Sequence, residues 1–158
     1  LVKGENLMMG YYKNPEATKQ VFTKDGWLKT GDLGYIDEDG FLFLKGRNKT
    51  MLLGPNGQNI YPEEIEAKLN NLPYVLESIV LQHEDHLVAL VCPEYEAADN
   101  DHMTRQQLEE AMEVNRKALN AELAAYEQIS KIKLYPHEFE KTPKRSIKRF
   151  LYTSMAND

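Results

Sequence analysis

A chain of 158 residues is long enough to enclose one full core, or one domain together with a piece of another. Its 42% hydrophobic and 28% charged residues describe an ordinary globular protein, not a disordered one, and no apolar run reaches the length a bilayer crossing requires. A formal net charge of -6 excludes a protein built to coat nucleic acid, work that needs a basic face to displace counterions.

The first residue is Leu1 and a strand-like stretch begins almost at once, so we expect a fragment of something longer. The amino terminus lacks the basic-then-apolar pattern of a secretory signal, and the expected location is the cytoplasm. Residues 2–12 alternate glycine, polar and apolar side chains, which suits short strands and a turn. Asn14 can cap a helix that Pro15 opens, with Ala17, Val21 and Phe22 as a brief apolar stripe. Asp25-Gly26 stops it, and Trp27-Leu28 begins a strand.

Residues 34–45 read as a hairpin: Tyr35-Ile36 and Phe41-Leu42-Phe43-Leu44 flank an Asp39-Gly40 turn that tolerates positive φ. Its acidic tip lacks the ligand spacing and the bidentate glutamate of a calcium loop. Gly31-Asp32 precedes the hairpin and Gly46-Arg47 closes it, which puts a carboxylate and a guanidinium at opposite ends, each beside a glycine. An Asp that accepts two hydroxyl protons and an Arg that donates in a planar fork can grip a sugar diol, and the same pair also reads as an exposed ion pair. Residues 46–49 are polar and glycine-flanked, as a pivot between domains requires.

Beyond the Gly54-Pro55-Asn56-Gly57 loop, Pro62 opens a helix with Glu63 and Glu64 in its first turn and Ile65, Leu69 and Leu72 inside, ended by Pro73. Two apolar runs, residues 75–81 and 87–92, read as paired strands, and the His83-Glu84-Asp85-His86 tip between them reads as a solvated turn, not a zinc site. Cys92, the single cysteine, reads as a small buried side chain. Residues 94–102 are acidic and loop-like. Thr104 and Gln107 form a capping box, with Met103 and Leu108 as its staple, for a helix whose inner face carries Leu108, Ala111, Met112, Asn115, Leu119, Leu123 and Tyr126. Residues 129–135 alternate apolar and basic side chains, as a third strand with one buried face would. The predicted fold is α+β: a small domain with a three-stranded sheet and flanking helices, preceded by a β-rich segment.

The tail puts Lys141, Lys144, Arg145, Lys148 and Arg149 within nine positions. Taken alone, such a run is a solvated face or a phosphate contact, and it lacks the interleaved aromatics that stack bases.

Three separated motifs in this order, Thr30-Gly31-Asp32, then Gly46-Arg47, then Gln58-Asn59-Ile60-Tyr61-Pro62-Glu63-Glu64-Ile65-Glu66, together with the Thr142-Pro143-Lys144-Arg145-Ser146-Ile147-Lys148-Arg149 tail, resemble the carboxyl-terminal part of adenylate-forming acyl-CoA synthetases, closest to the bacterial long-chain fatty acid CoA ligases. The resemblance implies that residues 1–47 end a large amino-terminal domain and that residues 48–158 form a mobile lid. It implies Lys148 as the catalytic lysine, Asp32 and Arg47 as ribose ligands of ATP, Gly57 as the lining of the CoA pantetheine tunnel, and Lys49 as the hinge. Thr50 and Leu53 depart from residues frequent in the family, and Ile147 replaces a common glycine, as in its long-chain branch. ATP, Mg2+ and CoA are the implied cofactors, with the magnesium ligands and the phosphate loop upstream of Leu1. The implied partners are that amino-terminal domain and a fatty acid, with peripheral membrane contact allowed in the full-length protein. The fragment alone is then expected to be inactive. Two other readings stay open: an adenylation domain that loads an acyl carrier protein, and a non-catalytic α/β module that docks an anion.

Overall fold

In a computed structural model, which describes residues 1–156, the chain divides into two compact units, Leu1–Lys49 and Thr50–Asp158.

The first unit contains α1 (Pro15–Val21), β1 (Asp32–Ile36) and β2 (Leu42–Arg47). Asn14 caps α1 through its side-chain oxygen, which accepts the Ala17 N–H at 3.0 Å, and the helix ends at Val21, before Asp25-Gly26. The short strands expected over residues 2–12 and at Trp27-Leu28 reduce to single bridges, Val2 with Leu28 and Phe22 with Leu28. The hairpin forms as the sequence predicts, antiparallel, with Ile36 opposite Leu42. Its acidic tip serves its own backbone: Asp37 Oδ1 accepts the N–H groups of Asp39 at 3.1 Å and Phe41 at 2.8 Å. A bulge interrupts the register between Leu33 and Gly34, and a Cβ at Gly34 would stand 2.4 Å from the Phe43 carbonyl oxygen. Only glycine allows that approach of the two strands.

The second unit begins with a two-stranded ribbon, β3 (Leu52–Leu53) and β4 (Asn59–Ile60), and continues through α2 (Pro62–Leu69), β5 (Val75–His83), β6 (His86–Pro93), α3 (Tyr95–Asn100), α4 (Arg105–Glu122) and β7 (Ile129–Leu134). The sheet order is β5-β6-β7. β5 and β6 are antiparallel across the solvated tip, whereas β7 returns parallel to β6 after a crossover through α3 and α4, the connection that parallel pairing demands.

Both faces of this sheet are covered, which explains why β5 and β6 read as continuous apolar runs instead of alternating ones. On one face α2 and α4 pack Ile65, Leu69, Leu108, Met112 and Leu119 against Val80, Leu87, Ala89, Val91 and Ile129. On the other, the residues after β7 fold back: Phe139, Tyr152 and Ala156 cover Ile79, Leu81, Leu90 and Cys92. The Tyr135 and Phe139 rings stack 5.0 Å apart, and Tyr152 meets both edge-on.

Several sequence expectations need correction. The acidic stretch 94–102 contains a helical turn and a half, α3, which buries Ala98. Pro73 does not end α2, because Asn70 caps it one turn earlier. The capping box at Thr104 and Gln107 is present, but α4 stops at Glu122, so Tyr126 lies in a following 3-10 turn and is exposed. The basic tail is not wholly a solvated face, since Lys141 meets Glu77 at 2.7 Å and Arg149 turns inward.

Candidate functional site

The predicted site residues fall into two groups, one in each unit. In the first, antiparallel pairing sets Asp32 directly opposite Arg47, and Arg47 Nε stands 3.1 Å from Asp32 Oδ1. Gly31 adopts a φ of 79°, and its carbonyl accepts the Asn48 N–H at 2.9 Å, which closes the open end of the hairpin beside the ion pair. Thr30 Oγ1 accepts the Asp32 N–H at 3.2 Å. Both charged side chains remain reachable, 37% exposed for Asp32 and 60% for Arg47. A carboxylate and a guanidinium presented together at a rim can bind a vicinal diol from its two sides. Lys49 lies in the exposed turn that ends this unit.

In the second unit Gly57 sits in the β3–β4 turn with a φ of 78°, and nothing lies within 4 Å of where its Cβ would be. The space in front of it is open. Lys148 lies on the tail, where its backbone N–H donates to the Glu140 carbonyl at 2.8 Å and its Nζ is 3.1 Å from Glu140 Oε2. Its side chain is 34% exposed. The core does not enclose the ammonium, which a glutamate at the surface holds. The structure therefore brings Asp32 and Arg47 together and sets Gly57 and Lys148 on separate elements of the other unit.

Sequence reasoning missed the pair beside Lys148. Glu66, on the inner face of α2, receives a hydrogen bond from Arg149 Nη2, while its Oε1 accepts the Val80 N–H at 2.6 Å. Burial pushes the Glu66 carboxyl above the usual carboxylate range, against the opposing pull of Arg149 and the Val80 N–H. One signal was available: Glu66 lies one residue after Ile65 and three before Leu69, within a helical stripe that should be apolar. Burial likewise raises the Cys92 thiol to about 11, which makes it inert packing. Among the described residues no group of three or more His, Cys, Asp or Glu side chains is gathered to hold a metal ion, and no helix is long and apolar enough to cross a membrane.

The family model described as "AMP-binding enzyme C-terminal domain" matches residues 49–155. The sulfoacetate–CoA ligase of Cupriavidus necator is 49% identical over 78 residues, which make up 49% of this chain and 15% of that protein. The long-chain-fatty-acid–CoA ligase of Mycobacterium tuberculosis is 32% identical over 169 residues, covering 94% of this chain and 28% of that protein. The adenylation domain of a carboxylate reductase from Mycobacterium chelonae superposes with a TM-score of 0.86 over 98% of this chain and 26% of its own; at 24% identity the likeness speaks for the fold. The chain spans less than a third of the length of each.

Proposed function

Because the chain belongs to the AMP-binding enzyme C-terminal domain family, whose relatives include AMP-forming acid–CoA ligases, we propose that it is the moving lid of such a ligase, acting on a long-chain fatty acid in the cytoplasm. Residues 1–47 then finish a larger nucleotide-binding body and residues 48–158 swing against it. The observation that carries this reading is the family match over residues 49–155, which includes an accessible Lys148. The fatty acid assignment is supported by the mycobacterial relative, alike over 94% of this chain.

In this reading Asp32 accepts the ribose hydroxyls of ATP and Arg47 donates to them. Lys148 brings its ammonium between the substrate carboxylate and the α-phosphate, two anions whose approach is otherwise opposed by charge. A point charge held there is worth most as negative charge builds up in the transition state. Magnesium, when bound, supplies further neutralisation of the phosphates; this chain contributes no cluster of ligands for it among the described residues. Once the acyl-adenylate has formed and pyrophosphate has left, the lysine has no further task. Rotation about Lys49 withdraws it and presents Gly57, whose lack of a side chain leaves room for the pantetheine arm of CoA. The thiol then displaces AMP. Replacing the CoA thiol with that of an acyl carrier protein leaves the lid's work unchanged, so the choice of acceptor is a second reading that the assay below separates from the first.

The test is to give the complete enzyme ATP, Mg2+ and fatty acids of graded length, with either CoA or a phosphopantetheinylated carrier as acceptor. The expected result is thioester and AMP formation with CoA, fastest for long chains, and negligible ATP–pyrophosphate exchange by the 158-residue chain alone. Transfer only to the carrier overturns the CoA reading, and robust exchange by the 158-residue chain overturns the division of labour.

A further inference from the structure

Glu66 is 7% exposed, flanked on its helix by Pro62, Ile65 and Leu69. A carboxylate in such surroundings is costly unless both oxygens are engaged, and here both are, by the Val80 N–H and by Arg149. Arg149 Nη1 also donates to the Val80 carbonyl at 3.2 Å, so a single guanidinium ties the tail to α2 and to the middle of β5. Arg149 immediately follows Lys148, which is the capping residue of the 3-10 turn Arg149–Leu151. The main chain around Lys148 is thus held on both sides: through Arg149 after it, and at its own N–H by the Glu140 carbonyl. One turn earlier on α2, Glu63 accepts a hydrogen bond from the hydroxyl of Thr50, the first residue of the second unit. α2 therefore carries, three residues apart, the carboxylate that receives the start of this unit and the one that receives the residue after Lys148.

Stability alone gives no reason for the inner pair, since a buried ion pair commonly does no better than apolar side chains of the same volume. Registration does give one. A long, flexible lysine reaches a defined point only if its Cα is defined, and a misplacement of an ångström at a reacting centre is expensive in rate. We infer that Arg149 and Glu66 are positioning residues for the adenylation step, a buried clamp that fixes the main chain at Lys148 so that its ammonium needs only to exchange Glu140 for the reacting anions. The inference rests on the reading in which Lys148 serves adenylation.

The test uses the complete enzyme and three variants: Arg149→Lys, the paired variant Glu66→Gln with Arg149→Met, which leaves no buried charge unmatched, and Lys148→Ala as reference. The readouts are kcat and KM for ATP in pyrophosphate exchange, thioester formation from supplied acyl-adenylate and CoA, and the melting temperature. The paired variant is expected to lose on the order of tenfold to a hundredfold in exchange kcat. Its KM for ATP and its thioester step should be unchanged, and Arg149→Lys should recover part of the loss. Two results overturn the inference: full exchange in the paired variant beside lost exchange in Lys148→Ala, or a parallel fall of both half-reactions that tracks the melting temperature. Intact exchange in Lys148→Ala overturns the parent reading, and this one with it.

Discussion

The hairpin of the first unit and the sheet of the second are built from similar residues and are buried very differently. Along β1 and β2, Ile36, Leu42 and Leu44 are each more than 60% exposed, and no residue among the first 49 is buried. Along β6 every residue from Leu87 to Pro93 is buried, because helices cover one face and the tail covers the other. An isolated two-stranded ribbon is marginal in water, and a three-stranded sheet packed on helices is not. The difference teaches that the second unit supplies its own core, while the first offers apolar surface of the kind normally covered by other protein.

The sharpest way to break this comparison is to truncate one large side chain in each region and melt the 158-residue chain. Leu69→Ala, at a fully buried position, is expected to cost about 2–5 kcal/mol. Phe43→Ala, at a site 45% exposed, should cost less than about 1 kcal/mol. Equal losses would show that the hairpin has a core of its own.

A second prediction separates binding from stability in the first unit. Arg47→Ala removes a charge-assisted contact that the proposed function assigns to the ribose, so KM for ATP in the complete enzyme should rise about tenfold. The exposed pair with Asp32 contributes only about 0–1 kcal/mol, so the melting temperature of the 158-residue chain should barely move. An unchanged KM would remove the pair from the nucleotide site.

A third concerns pH. The Glu66 carboxyl is raised above its ordinary 4.5, so the folded state holds its proton more tightly than the unfolded chain does. Its contribution to stability is then fully present below 4.5 and is lost as pH rises through the native value. Glu66→Gln should flatten that part of the pH–stability curve; a curve that keeps its slope would assign the slope to other carboxyls. The smallest effect is expected at Cys92, 2% exposed with its thiol at about 11: iodoacetamide at neutral pH should leave the native chain unlabelled, and rapid labelling would contradict the covered second face.

Much of the second unit was legible because its elements carry a period or a cap. The runs at 75–81 and 87–92, the alternation from Ile129 and the Thr104–Gln107 box each name one element through one local interaction, and each is found. What was illegible depends on partners distant in sequence. The segment after Tyr135 has no regular hydrophobic spacing, yet Phe139 and Tyr152 roof the sheet because their rings meet one another. Arg149 sits in a basic run that reads as solvated, and only the fold shows that it reaches Glu66, 83 residues away. Likewise α3 was hidden by acidic residues that favour loops in isolation but here bury Ala98. At the candidate site the sequence offered Asp32 and Arg47 as a pair but set them at opposite ends of the hairpin, whereas the register places them face to face across its open end; the buried pair beside Lys148 could not be seen without the fold.

The measurement that bears most directly on this account is the Lys148→Ala variant of the complete enzyme, with its two half-reactions assayed apart. The account predicts that pyrophosphate exchange falls on the order of a hundredfold or more, while thioester formation from supplied acyl-adenylate and CoA stays near the parent rate. Exchange at the parent rate, or an equal loss in both steps from a protein that melts normally, would contradict it.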